Sequence, residues 1–184
     1  DSVVEAEIEL LRSHGHQVET YFRNNDDIVN MSTVSVVMQT LWSSRSVDEL
    51  SKFMGTFQPD IIHVHNTLPL ISPSIYWAAA RKGVPVVQTL HNFRLMCLNA
   101  LYLRHGTVCE NCAGHLPWRG VLRNCYRDSM AASAILTTTI ALHRGINTYQ
   151  HKVARYIALT KFSQLKFKSG GLPEQKISVK SNFI

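Results

Sequence analysis

Hydrophobic positions recur along this chain at two spacings, and the changes between them mark its elements. Val4, Ile8 and Leu11, with Leu10 beside them, repeat at helical intervals up to Ser13-His14-Gly15, which predicts an opening helix with its C-cap at Gly15. Gln17 to Phe22 alternates and predicts a strand, and Asn24-Asn25-Asp26-Asp27 predicts a turn. From Val29 to Trp42 the run is apolar and rich in Ser and Thr, and its β-branched residues weaken a helical reading without removing it. Val47, Leu50, Phe53, Met54 and Phe57 return to helical spacing before Pro59 bars further helix.

Two later runs carry the most information. Pro59 to His65 and Val84 to Leu90 are short apolar stretches of the kind a buried parallel strand uses, and they lead into His65-Asn66 and His91-Asn92. Between them Ser74 is placed to cap a helix through Ile75, Ala78 and Ala79 that stops at Gly83. Strand, helix, strand delivers polar side chains to the same end of two parallel strands. Residues 94–127 then break the rhythm, which predicts an insertion. Order returns with a helix from about Asp128 to Tyr149, a strand over Tyr156–Thr160, a short helix capped by Ser163 and ended by Gly170-Gly171, and a last strand at Ile177–Val179. The predicted fold class is α/β: a Rossmann-like, doubly wound parallel sheet with helices on both faces. In such a sheet ligands bind beyond the carboxyl ends of the strands.

At 184 residues, 45% of them hydrophobic, the chain can bury the core of one domain but would leave two domains thin. The formal charge of +6 admits nucleic acid, an anionic membrane face or a phosphorylated ligand. No apolar run approaches the length of a spanning helix and the first residues do not read as a signal peptide, so a cytoplasmic protein is expected, with peripheral contact at the inner face of the membrane allowed. The chain lacks an initiator Met, opens inside a helical pattern and stops on Phe183-Ile184 after a strand-like run. It reads as part of a longer protein.

His63, inside a strand run, is expected to pack with one ring nitrogen on a backbone carbonyl. His65 and Asn66 lie where the chain leaves the sheet and are candidate substrate-binding residues. His91 is the strongest candidate for function because it follows a continuous apolar run typical of a central strand. Asn92 offers a donor and an acceptor, Arg94 can reach a phosphate, and Lys161 starts a helix at the same end of the sheet.

The series Gly15-His16-Gln17-Val18, Pro59-Asp60-Ile61-Ile62-His63-Val64-His65, Lys82-Gly83-Val84-Pro85-Val86-Val87, Thr89-Leu90-His91-Asn92 and Ile157-Ala158-Leu159-Thr160 resembles the N-terminal domain of retaining glycosyltransferases of the GT-B type, glycosyltransferase family 4. The resemblance implies that the chain is the acceptor half of such an enzyme, lacking its first strand and Gly-rich loop. It implies that a nucleotide-sugar donor is held mainly by the absent C-terminal domain. It also implies that His91 is catalytic: retention of configuration needs no protein nucleophile, so its role is to orient sugar hydroxyls and offset developing charge.

All four cysteines fall in one segment, as Cys109-Glu110-Asn111-Cys112 with Cys97 before it and Cys125 after it. Two thiolates spaced by two residues, flanked by single cysteines, favour a structural zinc site, with His105 and His115 as spare ligands. Disulfides, unpaired thiols and an iron–sulfur cluster remain alternatives. Between Arg94 and Arg127 five arginines face only Glu110, which favours an acceptor with a phosphate or carboxylate, such as a lipid-linked diphosphate sugar or an acidic glycan. The leucines and Trp118 interleaved with them suit an anionic membrane surface as well. A zinc-containing nucleic-acid-binding module and a non-catalytic regulatory α/β domain are the rival readings, and the cysteine spacing fits no common finger pattern.

Overall fold

The computed structural model describes residues 2–182, so Asp1 and the closing Phe183-Ile184 lie outside it. Helix α1 (Ser2–Ser13) ends where predicted: the Gly15 N–H donates to Arg12 O at 3.0 Å and the His16 N–H to Leu11 O at 3.1 Å. That paired closure needs the φ of +83° that Gly15 adopts at little cost. The strand expected over Gln17–Phe22 does not form. Alternation makes a strand only where a ladder partner is at hand, and residues 16–24 pair with no strand among the described residues. Tyr21 and Arg23 turn instead to Glu49, whose carboxylate accepts from Tyr21 Oη at 2.6 Å and lies 3.7 Å from Arg23.

A 3₁₀ turn (Asn25–Asn30) leads into α2 (Thr33–Leu41), which is helical despite its β-branched residues. Ser32 caps it by accepting from the Ser35 N–H. Helix α3 (Ser44–Phe57), capped by Ser43, turns Val47, Leu50 and Met54 inward. Then come β1 (Ile62–Val64), α4 (Ile75–Arg81) and β2 (Val86–Leu90). Ser74 stands at the α4 N-cap but does not cap it; its hydroxyl pairs with Ser72 Oγ at 2.7 Å. Residues 94–127 hold a short hairpin, β3 (Leu103–Arg104) and β4 (Thr107–Val108), and the single-turn helix α5 (Trp118–Leu122). Both hairpin loop residues, His105 and Gly106, have positive φ, as a two-residue loop that matches strand twist requires.

The long helix predicted to Tyr149 is α6 (Met130–Gly145), broken by Asn147 at φ +56° and followed by α7 (Thr148–His151). After β5 (Arg155–Ala158), α8 (Lys161–Ser169) is capped by Thr160 rather than Ser163. Ser163 is the third helical residue and its hydroxyl accepts from the Thr160 N–H at 3.0 Å, completing a reciprocal cap. The last strand is β6 (Ile177–Val179).

The four main strands pair in the order β1-β2-β5-β6, all parallel, so each predicted strand from Pro59 onward joins one Rossmann-like sheet. Side chains alternate across it. On one face Val64 and Val86 meet Leu50 of α3 and Tyr76 of α4 in the main core, where Tyr156 and Phe167 are fully buried. On the other face His63 meets Glu7 of α1. Burying a large apolar side chain contributes about 1.5–3 kcal/mol, so the first face holds the sheet together while the second is free to carry polar groups. Among the described residues no helix is long and apolar enough to cross a membrane.

Candidate functional site

His63 and His65, two residues apart, point to one face of the sheet at β1; Thr89 and His91 do the same at β2. The register pairs His63 with Val87 and Val64 with Gln88, which places the two sets on a diagonal. His63 Nε2 lies 2.7 Å from Thr89 Oγ1, and one step on His65 Nδ1 lies 2.8 Å from His91 Nε2. Glu7 closes the group from α1. Its Oε2 is 3.3 Å from His65 Nε2 and 3.7 Å from His63 Nδ1, while Oε1 accepts from Lys180 Nζ, just beyond β6. The backbone carbonyl expected to hold His63 is therefore replaced by a threonine hydroxyl and a carboxylate.

Burial drives the charges here. It pushes the Glu7 carboxyl up, but the Lys180 hydrogen bond and the nearby positive groups outweigh it and leave the carboxyl below its usual range. Burial lowers the imidazoles, with His65 brought down to about 4 by desolvation and by the neighbouring His63. His63 and His91 are lowered for the same first reason. At neutral pH the group is thus a carboxylate beside neutral imidazoles. The Glu7–His65 approach is too oblique for a hydrogen bond and leaves Oε2 without such a partner, yet its charge favours the tautomer with the proton on His65 Nε2. His65 Nδ1 is then an acceptor, His91 Nε2–H donates to it, and His91 Nδ1 keeps a bare lone pair.

Glu7, His63 and His65 each offer a ligand atom within 4.8 Å of the others, a spacing that suits a divalent ion. The Lys180 ammonium already offsets the Glu7 charge, while His63 and His65 each have a hydrogen-bond partner in Thr89 and His91.

The other predicted residues surround this group without joining it. Asn66 Oδ1 accepts from the Leu68 N–H at 3.1 Å and Asn92 Oδ1 from the Arg94 N–H at 3.0 Å, so both side chains fix turns and keep only their amide N–H groups for a ligand. The Arg94 guanidinium lies 5.0 Å over the Tyr126 ring, which Arg127 also approaches at 5.5 Å. Lys161 is exposed at the start of α8. Pairing of Leu90 with Ala158 brings His91 and Lys161 out of the sheet at the same end. Sequence reasoning missed Glu7 and Lys180, though a carboxylate set among Val4, Ile8 and Leu11 on one helical face was the available signal.

Beyond Arg94 the four cysteines line one cavity of about 20 Å³ together with Arg104 and Arg123. None is in a disulfide, and burial raises the Cys112 and Cys125 thiols. Arg144 of α6 ties this segment down by donating to Leu95 O at 2.7 Å and His115 O at 3.1 Å. The family described as a glycosyl transferase 4-like domain matches residues 2–159. No curated protein and no solved structure matches the chain.

Proposed function

Because the chain belongs to the glycosyl transferase 4-like domain family and carries a glycosyltransferase domain, we propose that it is the acceptor-binding half of a retaining enzyme. In this reading a sugar passes from a nucleotide-sugar donor, held mainly by a C-terminal domain of the same protein, to a glycan or lipid-linked acceptor. The observation that carries it is the 2.8 Å contact between His65 Nδ1 and His91 Nε2 at the ligand end of the sheet, with Glu7 Oε2 3.3 Å from His65 Nε2; with the proton on His91 Nε2, its Nδ1 is left to accept from a ligand. A neutral imidazole held in one tautomer accepts a hydrogen bond from a sugar hydroxyl and fixes its direction before attack on the anomeric carbon. As the acceptor oxygen bonds to the anomeric carbon, the departing nucleoside diphosphate takes the bonding pair of the broken C–O bond and a phosphate oxygen takes the hydroxyl proton, so His91 forms no covalent bond. His65 orients His91; Asn66 and Asn92 offer amide protons to hydroxyls, and Arg94 and Lys161 supply positive charge for phosphate oxygens.

Exposed Leu101, Val108, Trp118 and Leu122 beside Arg104, Arg119 and Arg123 support an acceptor presented at an anionic membrane surface. Ligand titration watched through the imidazole NMR signals tests the reading. Acceptor saccharide alone should shift His65 and His91, and nucleotide sugar alone should leave them in place; the reverse pattern would assign this site to the donor.

A further inference from the structure

Independently of the transferase reading, we propose that Cys97, Cys109, Cys112 and Cys125 bind one structural zinc ion. They are the chain's only cysteines, and they come from three pieces of backbone: Cys97 in the turn after β2, Cys109 and Cys112 in the turn that follows β4, and Cys125 in the loop after α5. All four line the same small cavity. Its volume of about 20 Å³ suits a single ion, since a cavity needs roughly 10–15 Å³ to hold one water. Four thiolates around one ion are the donor set of a closed, tetrahedral zinc site.

The surroundings suit the charge. Zinc with four thiolates carries two net negative charges, the thiol protons having left to solvent. Arg104 and Arg123 line the cavity, and Arg123 Nη1 already donates to Cys109 Sγ at 3.9 Å. Gly120 lets the loop close over the site, because a Cβ there would meet Leu98 Cδ1 at 2.8 Å and Cys125 Cβ at 3.5 Å. The sulfurs do not form the tight grouping seen at Glu7, His63 and His65, so the proposal requires that binding draw them inward.

The segment also needs such a link. Between Tyr102 and Leu136 no hydrophobic residue belongs to the buried core. Asn124, Arg127 and Asp128 nevertheless hold positive φ, a conformation that residues with a Cβ adopt at a cost. Backbone held against its preference with little core beneath it requires another constraint, and a metal cross-link supplies one.

Elemental analysis of protein purified without added metal should find about one zinc per chain. Release of that zinc by a mercurial reagent should expose four thiols. Cys112→Ser should lose the zinc and lower the melting temperature; if that variant does not fold, the metal and thiol counts on the parent protein still decide. Absence of zinc with four titratable thiols, iron with acid-labile sulfide, or fewer than four thiols in denaturant without reductant would each overturn the proposal.

Discussion

The histidine group and the cysteine cavity lie close in sequence at one end of the same sheet, yet they are held in opposite ways. His63, His65 and His91 sit on or just beyond paired strands, and their two short contacts repeat one diagonal of the ladder. The cysteines sit on turns before, between and after a short hairpin and a single-turn helix, with exposed Val108, Trp118 and Leu122 in the same segment. A ladder fixes positions through backbone hydrogen bonds and so leaves its side chains free for chemistry. A loop with only a two-residue ladder leans more on side chains to fix itself.

The sharpest way to break this contrast is His91→Ala. Loss of one well-placed polar group in the transition state should lower turnover about 10²-fold, measured by steady-state kinetics on the chain joined to its donor domain and corrected for folded fraction. Turnover within threefold of the parent would make the histidine group structural, like the cysteines.

Arg144→Ala strikes the other region. Its guanidinium is the strut from α6 to Leu95 and His115, and losing charge-assisted hydrogen bonds should cost about 1.5–3 kcal/mol, seen as a lower midpoint in denaturant. Because the hydrogen bonds of Arg144 go to Leu95, Met96 and His115 and not to His63, His65 or His91, turnover per folded molecule should change little. A large loss of turnover with unchanged stability would show that the two regions are coupled.

Acid should separate them too. The imidazoles have folded pKa values below their ordinary 6.5, with His65 at about 4. Unfolded chains therefore take up protons first as pH falls, and the stability present above pH 6.5 is lost between there and about 4. Glu7, also lowered, adds a loss that begins only below its ordinary 4.5. Thermal melts should show a steep decline from pH 6.5 to 4 that flattens in His65→Asn; an equally steep decline in that variant would remove the imidazole from the account.

Much of this frame was legible in the sequence because buried parallel strands announce themselves as short apolar runs bounded by Pro and Gly, as at Pro59–His65 and Val84–Leu90. What failed depended on partners. Gln17–Phe22 alternates like a strand but has no ladder among the described residues, and Ser163 competed with Thr160 for a cap that the pair in fact shares. The α6 helix stops short because Asn147 tolerates a left-handed turn that apolar periodicity does not reveal. Glu7 was hidden for a related reason, since one of three glutamates on α1 reads as solvent-facing until the sheet beneath supplies His65 and Lys180.

The smallest expected effect lies at Arg94, where the two regions join. Its N–H is held by the Asn92 turn and its guanidinium rests over Tyr126, beside Arg127 and one residue beyond Cys125. Removing one partly exposed charge from a screened surface should cost about 1 kcal/mol or less, so Arg94→Ala should raise KM by up to about fivefold and leave kcat in place. The rise should appear with a phosphate-bearing acceptor and vanish with a neutral one, and added salt should shrink it. An equal rise for both acceptors would mean that Arg94 matters by packing on Tyr126, as part of the loop's own scaffold. A fall in kcat would instead move it into the chemistry beside His91.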